Sequence, residues 1–112
     1  MQVDGTNLTM IRGDSETITV SAEEVDGTAL PFETGDTVYF TVKANSLTTT
    51  KLIQKAITVF DVGNAVIEIE PADTSSLKYG QYRYDVQWVH DGRVTTVVPP
   101  SAFIIAQEIT FE

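Results

Sequence analysis

Few residues in this chain are equipped for covalent or metal chemistry. The 112 residues include no Cys and a single His, His90. A disulfide scaffold, a thiolate zinc centre, a thiol nucleophile and an all-His zinc site are therefore excluded. His90 acts as a general base only beside a hydroxyl nucleophile, and triads are recognised by geometry rather than by sequence position. Its place before Asp91-Gly92 reads more simply as a solvated hairpin His. Asp26, Asp61, Asp91, Glu68 and Glu70 are the oxygen donors of a conceivable Ca²⁺ site, which needs several ligands on one point. They are spread over separate turns and one strand face, without an Asp-x-Asp-x-Asp-Gly loop, and read as solvated charge. Glu68 and Glu70 also have the spacing of a carboxylate pair on one strand face, the kind used in glycoside hydrolysis. Such work needs a deep cleft, which a small sheet domain is not expected to offer.

Two further groups of residues point to recognition rather than catalysis. Arg12-Gly13-Asp14 is the tripeptide that adhesion receptors read, but Gly-Asp also starts a strand after a tight turn for backbone reasons alone. Tyr39, Tyr79, Tyr82, Tyr84 and Trp88 are the aromatics of a conceivable sugar platform. Tyr82, Tyr84 and Trp88 share the parity of Val86 and are expected in the core, which leaves Tyr39 and Tyr79 for the surface. No catalytic, cofactor-binding or metal residue is assigned, and the chain is expected to be no enzyme and to need no cofactor.

The elements that carry these residues are strands. The chain holds 13 Val, 9 Ile and 16 Thr against 5 Leu and 8 Ala. β-Branched side chains fit a pleated surface better than a helix. Turn residues at Gly13-Asp14, Asp26-Gly27, Gly35-Asp36, Gly63-Asn64, Gly80 and Asp91-Gly92 divide the chain at strand-length intervals. Alternation marks strands over Asn7 to Arg12, Glu16 to Glu24, Thr37 to Ala44, Ala65 to Glu70 and Gln81 to His90. Lys51 to Val59 is less regular and reads as an edge strand guarded by its lysines. Val25 to Thr28 is a turn, and Leu30-Pro31-Phe32 an extended connector. Pro71 to Tyr79 is expected to hold at most one short helical turn, near Asp73 to Lys78. After the Asp91-Gly92 hairpin, Val94 to Val98 returns, Pro99-Pro100 breaks it, and Ser101 to Thr110 closes the domain.

These features predict an all-β fold, an antiparallel two-sheet sandwich of about seven strands, as one domain over residues 1–112. The expected core is Ile18, Val20, Val38, Phe40, Val42, Ile67, Ile69, Leu77, Tyr82, Tyr84, Val86, Trp88, Phe103 and Ile105. A net charge of −9 should repel phosphate backbones, so nucleic acid is not an expected partner. No apolar run approaches the roughly 20 residues that cross a bilayer, and Met1 to Gly5 lacks the basic end of a signal peptide.

Leu77 to Val86 carries a Leu-x-x-Gly-x-Tyr-x-Tyr pattern that resembles the tyrosine corner of immunoglobulin-like sandwiches, in which a Tyr hydroxyl bonds back to upstream backbone. The order of segments Ile11 to Ile18, Asp36 to Lys43, Ala65 to Pro71, the Gly80 to Val86 strand and the Asp91-Gly92 hairpin resembles the N-terminal domain of phage baseplate upper proteins, the BppU-like family. That resemblance spans nearly the whole chain and implies an immunoglobulin-like domain in a virion structural protein of a phage or prophage tail. It implies other baseplate or tail proteins as partners, a homo-oligomer as one option, and assembly in the bacterial host cytoplasm. The family has no catalytic motif to carry over. An immunoglobulin-like module of a bacterial surface protein, binding a glycan or a protein, is the alternative. It predicts an exposed aromatic platform, whereas the structural role predicts a flat patch or a free strand edge.

Overall fold

A computed structural model describes residues 1–24 and 26–107. The fold is all-β, with ten strand segments and one short helix among the described residues. In chain order these are β1 (Gln2–Asp4), β2 (Asn7–Ile11), β3 (Glu16–Val20), β4 (Ala22–Glu23), β5 (Ala29–Leu30), β6 (Thr37–Lys43), β7 (Ile53–Ile57) and β8 (Ala65–Ile69). There follow α1 (Pro71–Thr74), β9 (Gly80–His90) and β10 (Arg93–Ala106). Six strands form one sheet in the order β1-β2-β10-β9-β6-β7, while β3 pairs with β8 and β4 with β5. All neighbours are antiparallel except β2 and β10, which run parallel from Leu8↔Phe103 to Ile11↔Ala106.

The strands form where period two supplies an apolar face. Along β6, Val38, Phe40 and Val42 are fully buried, and Ala65, Ile67 and Ile69 do the same on β8. Phe40, Tyr84 and Phe103 meet near the middle, with ring centroids 5.4 to 6.1 Å apart. Residues from the large sheet and from the β3–β8 pair belong to one hydrophobic cluster. Ile18, Leu77, Tyr82 and Trp88, expected inside, are half-buried against that cluster rather than enclosed. Leu8, Met10, Phe32 and Ile53 are buried members that the expected core omitted.

Three expectations about elements need correction. The run from Glu16 to Glu24 is broken at Ser21 into β3 and β4, because β3 pairs with β8 whereas β4 pairs with β5. Pro99-Pro100 does not end a strand; β10 passes through it with one register shift just before it, between Thr96 and Val98, and one across it, between Val98 and Ser101. The prolines are tolerated because this stretch has a strand partner on one side only, and the bulged ladder there asks for no N–H from them. The helical turn starts two residues earlier than expected, at Pro71, where Pro suits the first helical position. The turn expected at Val25 to Thr28 includes Val25, which lies outside the described residues. Around it Glu24 N–H donates to Thr28 O, and Asp26 Oδ1 accepts from Thr28 N–H. The expected end of the last strand at Thr110 is likewise outside them.

Tyr82 has the backbone partner its position suggested: its hydroxyl donates to Lys78 O at 2.6 Å. Tyr84, two residues on, donates its hydroxyl to Thr6 O and so ties β9 to the β1–β2 turn. Removing either hydroxyl by Tyr82→Phe or Tyr84→Phe should cost about 0.5–1.5 kcal/mol in chemical denaturation. Tyr39→Phe, on the outer face with no hydroxyl partner among the described residues, should change stability by less than about 0.5 kcal/mol. Gly63 sits at φ +77, and a Cβ there would lie 2.5 Å from Pro31 Cβ. Gly63→Ala should therefore cost on the order of 2 kcal/mol or more, through a strained φ together with a clash.

Candidate functional site

The titratable residues converge most closely around Asp36. This residue follows Gly35, whose φ of +95 turns the chain into β6. Asp36 is only 3% exposed, and both oxygens of its carboxylate are hydrogen-bonded. Oδ2 accepts from the Glu33 backbone N–H at 2.9 Å and from Trp88 Nε1–H at 3.0 Å, and Oδ1 pairs with His90 Nδ1. Burial pushes the Asp36 carboxyl up, but the Glu33 amide, His90 and Trp88 together outweigh it and hold the group below its usual value. His90 is shifted upward by its hydrogen bond to Asp36 and by that carboxylate's charge, against a smaller desolvation effect.

An Asp–His pair is two-thirds of a catalytic relay. The remaining ring nitrogen, Nε2, lies 3.6 Å from Asp91 Oδ2, and among the described residues no hydroxyl bonds to it. The arrangement is an electrostatic latch between the start of β6 and the end of β9. His90 was expected to be merely solvated; it is half-exposed, but anchored to a buried carboxylate 54 residues earlier in the chain. The only sequence signal was indirect. Asp36 lies just before an alternating strand, a position that reads as a turn residue until its partner is known.

The other candidates are dispersed. Arg12 does not project from a loop: its guanidinium stacks over the Tyr79 ring at 4.2 Å and bonds to Leu77 O at 3.3 Å. Gly13 N–H donates to the buried Thr74 hydroxyl at 2.8 Å, so this tripeptide packs against the α1 segment. Tyr79 is thereby a stacking partner for Arg12. Glu68 accepts the Thr17 hydroxyl on an exposed face, while Glu70 N–H bonds to Asp73 at the start of α1. Asp26, Asp61 and Asp91 belong to three different turns, and among the described residues no three His, Asp or Glu side chains converge as a metal site.

Two concave regions remain on the surface. One, of about 500 Å³, lies on the outward face of β6, β7 and β9, where Tyr39, Lys43, Lys51, Gln54, Arg83 and Asp85 meet. The other, of about 440 Å³, lies between β10 and the β4–β5 hairpin, with Leu30, Trp88 and Val97 inside and Glu23 and Glu24 at its rim. The β10 edge beside it is open: from Arg93 to Pro100, β10 pairs only with β9 among the described residues. Asp91 at φ 50 and Gly92 at φ 75 make a two-residue I′ turn, so His90 and Arg93 close the ladder. By alternation, the N–H and C=O of Val94 and Thr96 then point away from β9, toward this groove. No protein-family model matches the chain, and no curated protein is significantly similar to it.

The Asp36–His90 latch has a defined pH signature. A raised His90 value stabilises the fold below its ordinary value of 6.5, and that contribution is lost as pH climbs through the shifted value. A lowered Asp36 value contributes above its ordinary 3.8 and is lost as pH falls through the shifted value. The melting temperature should therefore decline from about pH 6 to pH 9, and His90→Gln should flatten that decline. NMR titration of His90 should give a value above 6.5.

Proposed function

We propose that this domain is an immunoglobulin-like sandwich acting as a non-catalytic assembly module, of the kind found in phage or prophage tails. Three features support the fold assignment. Within the six-stranded sheet the run β2-β10-β9-β6-β7, with β2 parallel to the last strand and β1 added outside it, resembles an immunoglobulin front sheet. The β3–β8 pair shares its core. The Tyr82 hydroxyl reaches back to Lys78 O across the corner.

The observation that carries the functional reading is the free β10 edge. Val94 and Thr96 offer backbone groups without a strand partner among the described residues, beside a groove lined by Trp88, Leu30 and Val97. An extended segment of a neighbouring tail protein can add there as a strand, with backbone bonds giving affinity and the groove giving specificity. The glycan-binding alternative draws little support from the aromatics. Tyr84 is buried, Tyr82 and Trp88 are half-buried against the core, Tyr79 is stacked under Arg12, and Tyr39 is a single ring on the outer face rather than part of an aromatic platform.

The test follows a tagged chain in the bacterium that encodes it, together with the genes beside its own. The chain should cosediment with tail particles after prophage induction and lie among tail and lysis genes. Thr96→Pro removes an edge N–H, and Val94→Lys puts a charge at the same edge. Both should keep a cooperative melt and lose retention on tails. A folded chain that never cosediments, or that cosediments equally well with both substitutions, overturns the reading.

A further inference from the structure

The geometry points to a second, separate binding site: the concave outward face of β6, β7 and β9 takes an acidic saccharide. The charge distribution is the first argument. The chain carries 7 basic and 16 acidic residues, yet this face gathers Lys43, Lys51 and Arg83 with only Asp85 opposing them. Lys43 and Arg83 stand directly opposite each other in the β6–β9 register. Like charges placed so are unfavourable by themselves. Among the described residues none of the three cations reaches a carboxylate at ion-pair distance. A bound carboxylate would offset this repulsion, and Arg83 is already oriented for it, because Nη2 donates to Pro100 O at 3.1 Å.

The rest of the lining selects among anions. Gln54 Nε2 bonds to Thr41 Oγ1 at 3.2 Å, and Gln87 lies opposite Tyr39 in the register. Amides and hydroxyls beside one tyrosine ring suit a molecule with several hydroxyls and a flat C–H face. The volume of about 500 Å³ accommodates one or two sugar rings. No Leu, Ile, Val or Met lines this face. Peptide docking relies on apolar anchors seated in pockets, so an acidic peptide is the poorer fit. Asp85 is half-buried beside the cations. Burial pushes its carboxyl up while Lys43 draws it down, and the net shift is upward. An incoming carboxylate must share the cations with it.

The experiment titrates ¹⁵N-labelled chain with methyl glucuronide, methyl galacturonide and sialyllactose, following amide shifts. Methyl glucoside is the neutral control and hexaglutamate the acidic-peptide control. At least one acidic saccharide should give saturable shifts confined to β6, β7 and β9, with a Kd on the order of 1 mM. The neutral glucoside should give none. Arg83→Gln should weaken that binding about tenfold or more, and Asp85→Asn should tighten it, with both melting temperatures near that of the parent chain. Three results each overturn the assignment: no saturable shift on this face from any of the three saccharides, tighter binding of hexaglutamate than of all of them, or unchanged saccharide binding by Arg83→Gln.

Discussion

The register of β9 is the constraint on which the rest of this structure depends. β9 is hydrogen-bonded to β6 on one side and β10 on the other over most of its length. Its even-numbered residues, Tyr82 to Trp88, turn to the core, and its odd-numbered residues, Arg83 to Gln87, turn outward. A one-residue slip would exchange the two sets, burying an arginine and an aspartate while exposing two tyrosines and a tryptophan. The same alternation therefore builds the apolar interior and the charged outer face. Most of the contacts that pin it come from far along the chain, Thr6 O to Tyr84 and Asp36 to both Trp88 and His90, and the corner just before the strand adds Lys78 O to Tyr82.

What could be read from the sequence was whatever depends on neighbours in the chain. Alternation located β6, β8 and β9 to within a residue and the start of β3, and the Gly80 corner led to the Tyr82 hydroxyl bond. The irregular Lys51 to Val59 run is an edge strand as expected, though its lysines serve elsewhere: Lys55 pairs with Asp73 at 2.8 Å, and Lys51 faces the cationic concavity. What escaped was set by distant partners. Asp36 looks like any turn aspartate until Trp88 and His90 arrive beside it. Phe32 looked like part of a connector, yet it packs edge-on to Trp88 at 5.0 Å and is almost fully buried. The outer-face cations sit at positions where a charge is ordinary on any strand. Only the pairing of β6 with β9 brings Lys43 and Arg83 face to face.

The two concave regions differ in chemistry as well as place. Beside β10 the walls are aliphatic and indole with acidic rims, next to backbone groups that have no strand partner among the described residues. On the opposite side of β9 the walls are amides, hydroxyls and cations over the paired strands β9, β6 and β7. One favours an extended chain and the other a compact polar molecule, and β9 contributes side chains to both.

The parallel pairing of β2 with β10 joins Leu8 to Phe103, so the first substantial strand, paired until then only with the short β1, waits for the last one before it joins the rest of the main sheet. Until then the apolar side chains of Leu8 and Met10 lack Phe103 and Ile105, the buried residues directly beside them in the finished sheet. Closing a loop of that length carries an entropic cost before any contact rewards it. All-β domains dominated by such distant contacts characteristically fold in milliseconds to seconds rather than microseconds. During synthesis the interval is longer still, since β10 leaves the ribosome well after β2. The unfinished sheet then presents the flanks of β9 and β2 to whatever is nearby, and the conditions under which this chain is made matter as much as the sequence that specifies it.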